Sequence, residues 1–135
     1  MNATKPKLPS IVFVEDEPYM RMLVSYSLEE NFTVTSFDNG LDALTFLQEG
    51  NIPDVMVLDL NTPKLDGHQL LMQLKSSGFF NAIPVIILSG EESTQVRIKC
   101  LEAGAEDYML KPFNPRELEV RINAILKRSG KIFNE

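Results

Sequence analysis

Along most of the chain, short apolar runs rich in β-branched and aromatic residues alternate with stretches whose apolar residues recur at helical spacing. This alternation restricts the fold more than any other feature of the sequence. The short runs lie at 11–14, 32–37, 55–58, 84–88 and 108–110 and read as five strands. Between them come Met20, Leu23, Val24 and Leu28; Ala43, Leu44 and Leu47; Leu70, Leu71 and Leu74; Val96 and Cys100; and Leu118, Ile122, Ile125 and Leu126, which read as five helices. Turn and cap residues punctuate the boundaries: Asp38-Asn39-Gly40, Gly50, Asp66-Gly67, Ser76-Ser77-Gly78, Gly104, Asn114-Pro115 and Ser129-Gly130. The fourth helix has the thinnest apolar stripe, because Arg97 and Lys99 interrupt it. Strict β-α alternation predicts a parallel sheet covered on both faces and joined by right-handed crossovers, an α/β three-layer sandwich. Three of the strands are nearly all apolar, which fits burial on both faces. There is no internal repeat and no low-complexity segment.

The 135 residues suit one domain of ordinary size. No apolar run approaches the ~20 residues a membrane span requires, so no membrane partner is expected. The N-terminal residues lack an apolar stretch of signal-peptide length, which predicts a cytoplasmic location. A single cysteine, Cys100, allows neither an intramolecular disulfide nor a paired-cysteine metal site, and its helical position predicts structural burial. A net charge of -6 argues against this domain gripping nucleic acid itself.

In an open parallel sheet, chemistry gathers at the carboxyl ends of the strands. The first strand here runs into Glu15-Asp16-Glu17, the third into Asp59, the fourth into Ser89-Gly90 and the fifth into Lys111-Pro112. Carboxylates, a hydroxyl and an amine therefore converge on one edge, where packing requires none of them. Carboxylates this close would repel one another and take up protons unless a hard cation offset them. An all-oxygen donor set without Cys or His points to Mg2+ rather than zinc. The chemistry that suits a carboxylate beside Mg2+, a lysine and a hydroxyl is phosphoryl transfer to that carboxylate.

The segments VEDEP, LDLNTPKLDG, ILSG and AGAEDYMLKPF, in that order and at those strand ends, resemble the receiver domain of two-component response regulators. The resemblance covers almost the whole chain and implies a flavodoxin-like, doubly wound (βα)5 fold with strand order 2-1-3-4-5. The domain would occupy residues 10–129, between an N-terminal tail at 1–9 and a C-terminal tail or linker stub at 130–135. By resemblance, Asp59 would accept a phosphoryl group from the phosphohistidine of a sensor histidine kinase or a phosphotransfer protein. Asp16 would bind Mg2+ directly, Glu15 through water, and Asp59 and the Asn61 main-chain carbonyl would complete the protein ligands. Ser89 and Lys111 would contact the phosphoryl group. Tyr108 would act with Ser89 as a switch, turning inward as Ser89 moves, and Lys111-Pro112 would be a cis peptide. Such a domain catalyses only its own phosphorylation and dephosphorylation. Its signalling face would be formed by the fourth helix, fifth strand and fifth helix. There Lys99, Glu117, Asp107 and Arg121 occupy places where receivers of winged-helix regulators pair across a homodimer. Thr62 departs from the family, which commonly has Met there, and should alter packing beside the site.

Each assignment has a plainer rival. Taken alone, Asp59 could be a capping or turn acid; the set formed with Glu15, Asp16, Ser89 and Lys111 favours the nucleophile. Asp66 reads as a turn residue with Gly67, Glu17 as a helix-start acid beside Pro18, and His68 as a surface residue at a helix start. Tyr108 could be simply a half-buried strand aromatic. Two other functions compete: a pseudo-receiver that keeps the fold as an interaction module, and a haloacid-dehalogenase-type phosphatase, whose motif wants a second acid where Asn61 stands. A flavodoxin would need a glycine- and hydroxyl-rich phosphate loop where this chain is acidic.

Overall fold

The computed structural model describes residues 7–130. Most of the expected tails at 1–9 and 130–135 lies outside these residues. Five strands alternate with five helices: β1 (Ser10–Val14), α1 (Pro18–Leu28), β2 (Thr33–Phe37), α2 (Gly40–Gln48), β3 (Val55–Asp59), α3 (Gly67–Lys75), β4 (Val85–Ser89), α4 (Thr94–Glu102), β5 (Asp107–Leu110) and α5 (Pro115–Arg128). All strand pairs are parallel, in the order β2-β1-β3-β4-β5. The chain starts near the middle of the sheet, moves outward to β2, then returns past β1 to build the other half. The reversal leaves the ends of β1 and β3 side by side, and loops diverging there open a crevice.

Residues of alternate parity on the strands face opposite layers. Val12, Val14, Met56, Leu58, Val85 and Ile87 pack under α2, α3 and α4. Ile11, Phe13, Val55, Val57, Ile86 and Leu88 pack under α1 and α5. Every residue of β3 and β4 is buried, as expected for strands covered on both faces. Cys100 is the one buried residue of α4, which accounts for the thin apolar stripe of that helix. No helix among the described residues is long and apolar enough to cross a membrane.

The helices start where short polar side chains satisfy their first amides. Glu17 accepts from the amides of Tyr19 and Met20, Asn39 from Asp42, Ser93 from Val96 and Asn114 from Arg116. Asp66 and Gln69 form a reciprocal capping box at α3. All five caps lie on loops that follow the carboxyl ends of strands, and those after β1, β3, β4 and β5 also fix the loops bordering the site.

Candidate functional site

Asp59 is the last residue of β3 and is held in the ladder opposite Leu88, and its side chain is only 7% exposed. Such burial is unfavourable unless the charge is paired. Lys111 supplies the pair: its Nζ donates to Asp59 Oδ2 at 3.0 Å and to Glu15 Oε1 at 2.8 Å. The Asn61 amide donates to Asp59 Oδ1 at 3.3 Å. Glu15 is almost wholly buried, its Oε2 accepts from the Glu17 amide at 3.2 Å, and its own amide donates to the Phe37 carbonyl. Asp16, by contrast, is exposed, and no group among the described residues bonds its carboxylate.

Burial pushes the Glu15 carboxyl above its ordinary pKa; the hydrogen bond from Lys111 opposes this and the neighbouring Asp59 charge adds to it. Burial would by itself lower the pKa of the Lys111 ammonium, but its bonds to Glu15 and Asp59 outweigh that and hold it above the ordinary value. Lysine therefore stays charged while bridging two acids. One oxygen each from Glu15, Asp16 and Asp59 lies within 4.8 Å of the others, a group that could hold a metal ion. Lys111 offsets only one of the three charges. The donors are all oxygen and one carboxylate is unpartnered, which suits a hard divalent cation such as Mg2+.

The other expected residues lie on β4, on β5 and its following loop, and on the turn after β3. Ser89, the last residue of β4, is fully buried; its Oγ accepts from the Glu91 amide at 2.9 Å, and among the described residues it donates to nothing. Lys111 is joined to Pro112 by the expected cis peptide, and its amide donates to the Ser89 carbonyl at 2.8 Å. Tyr108 is already turned inward at 8% exposure, with its hydroxyl donating to the Glu91 carbonyl at 3.0 Å. The β4-α4 loop is thus tied at Glu91 to both Ser89 and Tyr108. Asn61 is exposed on the turn after β3. Thr62 is buried, and its hydroxyl donates to the Leu65 carbonyl at 3.3 Å within that turn.

Residues with plainer readings are placed accordingly. Glu17 and Asp66 cap α1 and α3, and His68 stands in the first turn of α3 with no bond to the carboxylates. On the α4-β5-α5 face, Arg121 pairs within the chain to both Asp107 and Glu117, at 2.9 and 2.8 Å. Lys99 has no ion pair among the described residues. Sequence reasoning missed Arg21, whose guanidinium donates to the main-chain carbonyls of Glu15 and Asp16. The only signal for it was a cation one turn beyond the acidic cluster.

The reversed strand order and the acidic, lysine-bridged crevice define a doubly wound α/β domain with a candidate metal site at its switch point. The comparisons with known proteins agree. A model of the response regulator receiver domain family matches residues 11–123. The chain is 38% identical over 120 residues to the alkaline phosphatase synthesis transcriptional regulatory protein PhoP of Bacillus subtilis, a match covering 88% of this chain and 49% of that protein. Among solved structures, it superposes with a TM-score of 0.83 and 37% identity on the receiver domain of the Francisella response regulator 1452, covering 90% of this chain and 98% of that one. It also matches the Mn2+-bound form of response regulator Rcp1, with a TM-score of 0.73 and 28% identity over 88% of this chain and 92% of that one. The chain belongs to the response regulator receiver domain family. It spans about half the length of the curated relatives it matches.

Proposed function

We propose that this domain, over residues 10–129, accepts a phosphoryl group on Asp59 from the phosphohistidine of a sensor histidine kinase or a phosphotransfer protein. The observation that carries the reading is Lys111 Nζ standing between Asp59 and Glu15, at 3.0 and 2.8 Å, beside the unpartnered Asp16. Asp16, Asp59 and the Asn61 main-chain carbonyl would hold Mg2+ directly and Glu15 through water. When bound, Mg2+ offsets the carboxylates and the charge on the phosphoryl oxygens.

In the transfer, a carboxylate oxygen of Asp59 forms a bond to phosphorus as the phosphorus–nitrogen bond breaks, and the electron pair leaves with the imidazole. Lys111 faces the charge added to that carboxylate. The Ser89 hydroxyl, which donates to no described group, is available as a donor to a phosphoryl oxygen. The Glu91 amide and carbonyl link Ser89 and Tyr108, so a shift of Ser89 is felt at β5. Tyr108 also lines a groove of about 320 Å³ with Leu110, Phe113, Arg97 and Arg121 on the α4-β5-α5 face, which fits the switch and output roles. A homodimer through that face would exchange the intrachain pairs of Arg121 for pairs between copies. Self-catalysed hydrolysis of the acyl phosphate then resets the domain, and the setting is the cytoplasm.

Acetyl phosphate tests this reading. With Mg2+ present the wild type should gain one acid-labile phosphoryl group, and chelation or Asp59→Asn should abolish it. Full labelling of Asp59→Asn, or labelling unaffected by chelation, would overturn it.

A further inference from the structure

The three clustered carboxylates are not held equally. Glu15 is fixed at four points: its amide on the Phe37 carbonyl, its carbonyl on Arg21, and its two carboxylate oxygens on Lys111 and the Glu17 amide. Asp59 is fixed by the strand ladder, Lys111 and the Asn61 amide. The Asp16 side chain has no partner, so its position depends on the backbone of the turn between β1 and α1. That turn is exposed at Asp16, and one group reaches across it. Arg21, one turn into α1, donates from a single guanidinium nitrogen to the Glu15 carbonyl at 2.8 Å and to the Asp16 carbonyl at 3.4 Å. Its own amide is anchored on the Glu17 carbonyl at 2.9 Å.

We propose that Arg21 is a positioning residue for the metal site: by bridging the two carbonyls it sets the turn that presents the Asp16 carboxylate. Arginine suits this task because its guanidinium is planar, always charged and rich in donors, so one nitrogen spans two neighbouring acceptors. Its chemistry is indirect. Arg21 touches neither the phosphoacceptor nor the phosphoryl group, and it acts through the peptide units of the turn. The proposal rests on the metal-binding reading above.

Calorimetric titration with Mg2+ of wild type, Arg21→Gln and Arg21→Lys separates the two. Glutamine is too short to span the carbonyls, and Mg2+ binding by Arg21→Gln should weaken about tenfold, as for other groups that orient metal ligands. Lysine offers one compact donor, so Arg21→Lys should fall between. The unfolding midpoint without metal should stay close to wild type, and phosphorylation by acetyl phosphate should recover at saturating Mg2+. Wild-type affinity in Arg21→Gln, or rate losses that saturating Mg2+ leaves in place, would overturn the positioning role. If Arg21→Gln fails to fold, Arg21→Lys decides by the same criterion. Failure of the wild type to bind Mg2+ would instead overturn the metal reading itself.

Discussion

Asn61 and Glu91 are placed alike. Each stands two residues beyond a residue of the candidate site, Asp59 or Ser89, donates its amide to that side chain, and is itself exposed. Polar side chains so placed can orient water for in-line attack on an acyl phosphate, whereas bulky ones would block its path. Replacing them together, Asn61→Met with Glu91→His, should slow loss of the phosphoryl group several-fold after the donor is removed. Decay as fast as wild type would place control of the lifetime elsewhere. At this scale the sequence revealed the carboxylates, the hydroxyl and the lysine, because each interrupts an apolar run. It could not reveal the bonds of Arg21, since main-chain carbonyls leave no mark in a residue pattern. Nor did it show that Glu15 is buried on Lys111 while its neighbour Asp16 is exposed, because adjacent acids look alike until the turn is built.

The third and fourth strands end on residues of the candidate site. Apolar patterning placed the ends of the third and fourth strands at 58 and 88, but the ladders run one residue further, so Asp59 and Ser89 are their last rungs. Patterning by hydrophobicity stops at the first polar side chain, whereas the backbone ladder does not. All ten elements were nevertheless recognisable, α4 least clearly, because only Cys100 of that helix is buried. Helix α3 also starts directly against Asp59. A Cβ at Gly67 would meet the Asp59 carbonyl oxygen at 2.5 Å and the Leu60 Cα at 2.9 Å, while one at Gly78 would meet nothing within 4 Å. Gly67→Ala should therefore destabilise the domain by about 2 kcal/mol and impair phosphorylation, and Gly78→Ala should change stability by less than about 0.5 kcal/mol. Equal unfolding midpoints in denaturant for the two variants would contradict this account of the α3 start.

For the whole molecule, folding gathers three acids and one lysine from β1, β3 and β5 into a site whose negative charge Lys111 only partly offsets. A cation that binds the folded state alone must stabilise it. At constant ionic strength and a hundredfold excess over its Kd, Mg2+ should add about 2.7 kcal/mol of stability, raising the unfolding midpoint by roughly 10 °C. Chelation should reverse the shift and Asp16→Ala should largely remove it; identical midpoints with and without Mg2+ would contradict a metal-binding site. On the reading proposed above, the fold presents one particular carboxylate, that of Asp59, at the floor of the crevice to a phosphoryl donor. The most direct measurement is to phosphorylate the wild type with acetyl phosphate and Mg2+, trap the acyl phosphate by borohydride reduction, and map the reduced residue by mass spectrometry. The account predicts homoserine at position 59 and nowhere else. Modification at Asp16, Glu15 or Asp66 with position 59 intact would contradict it.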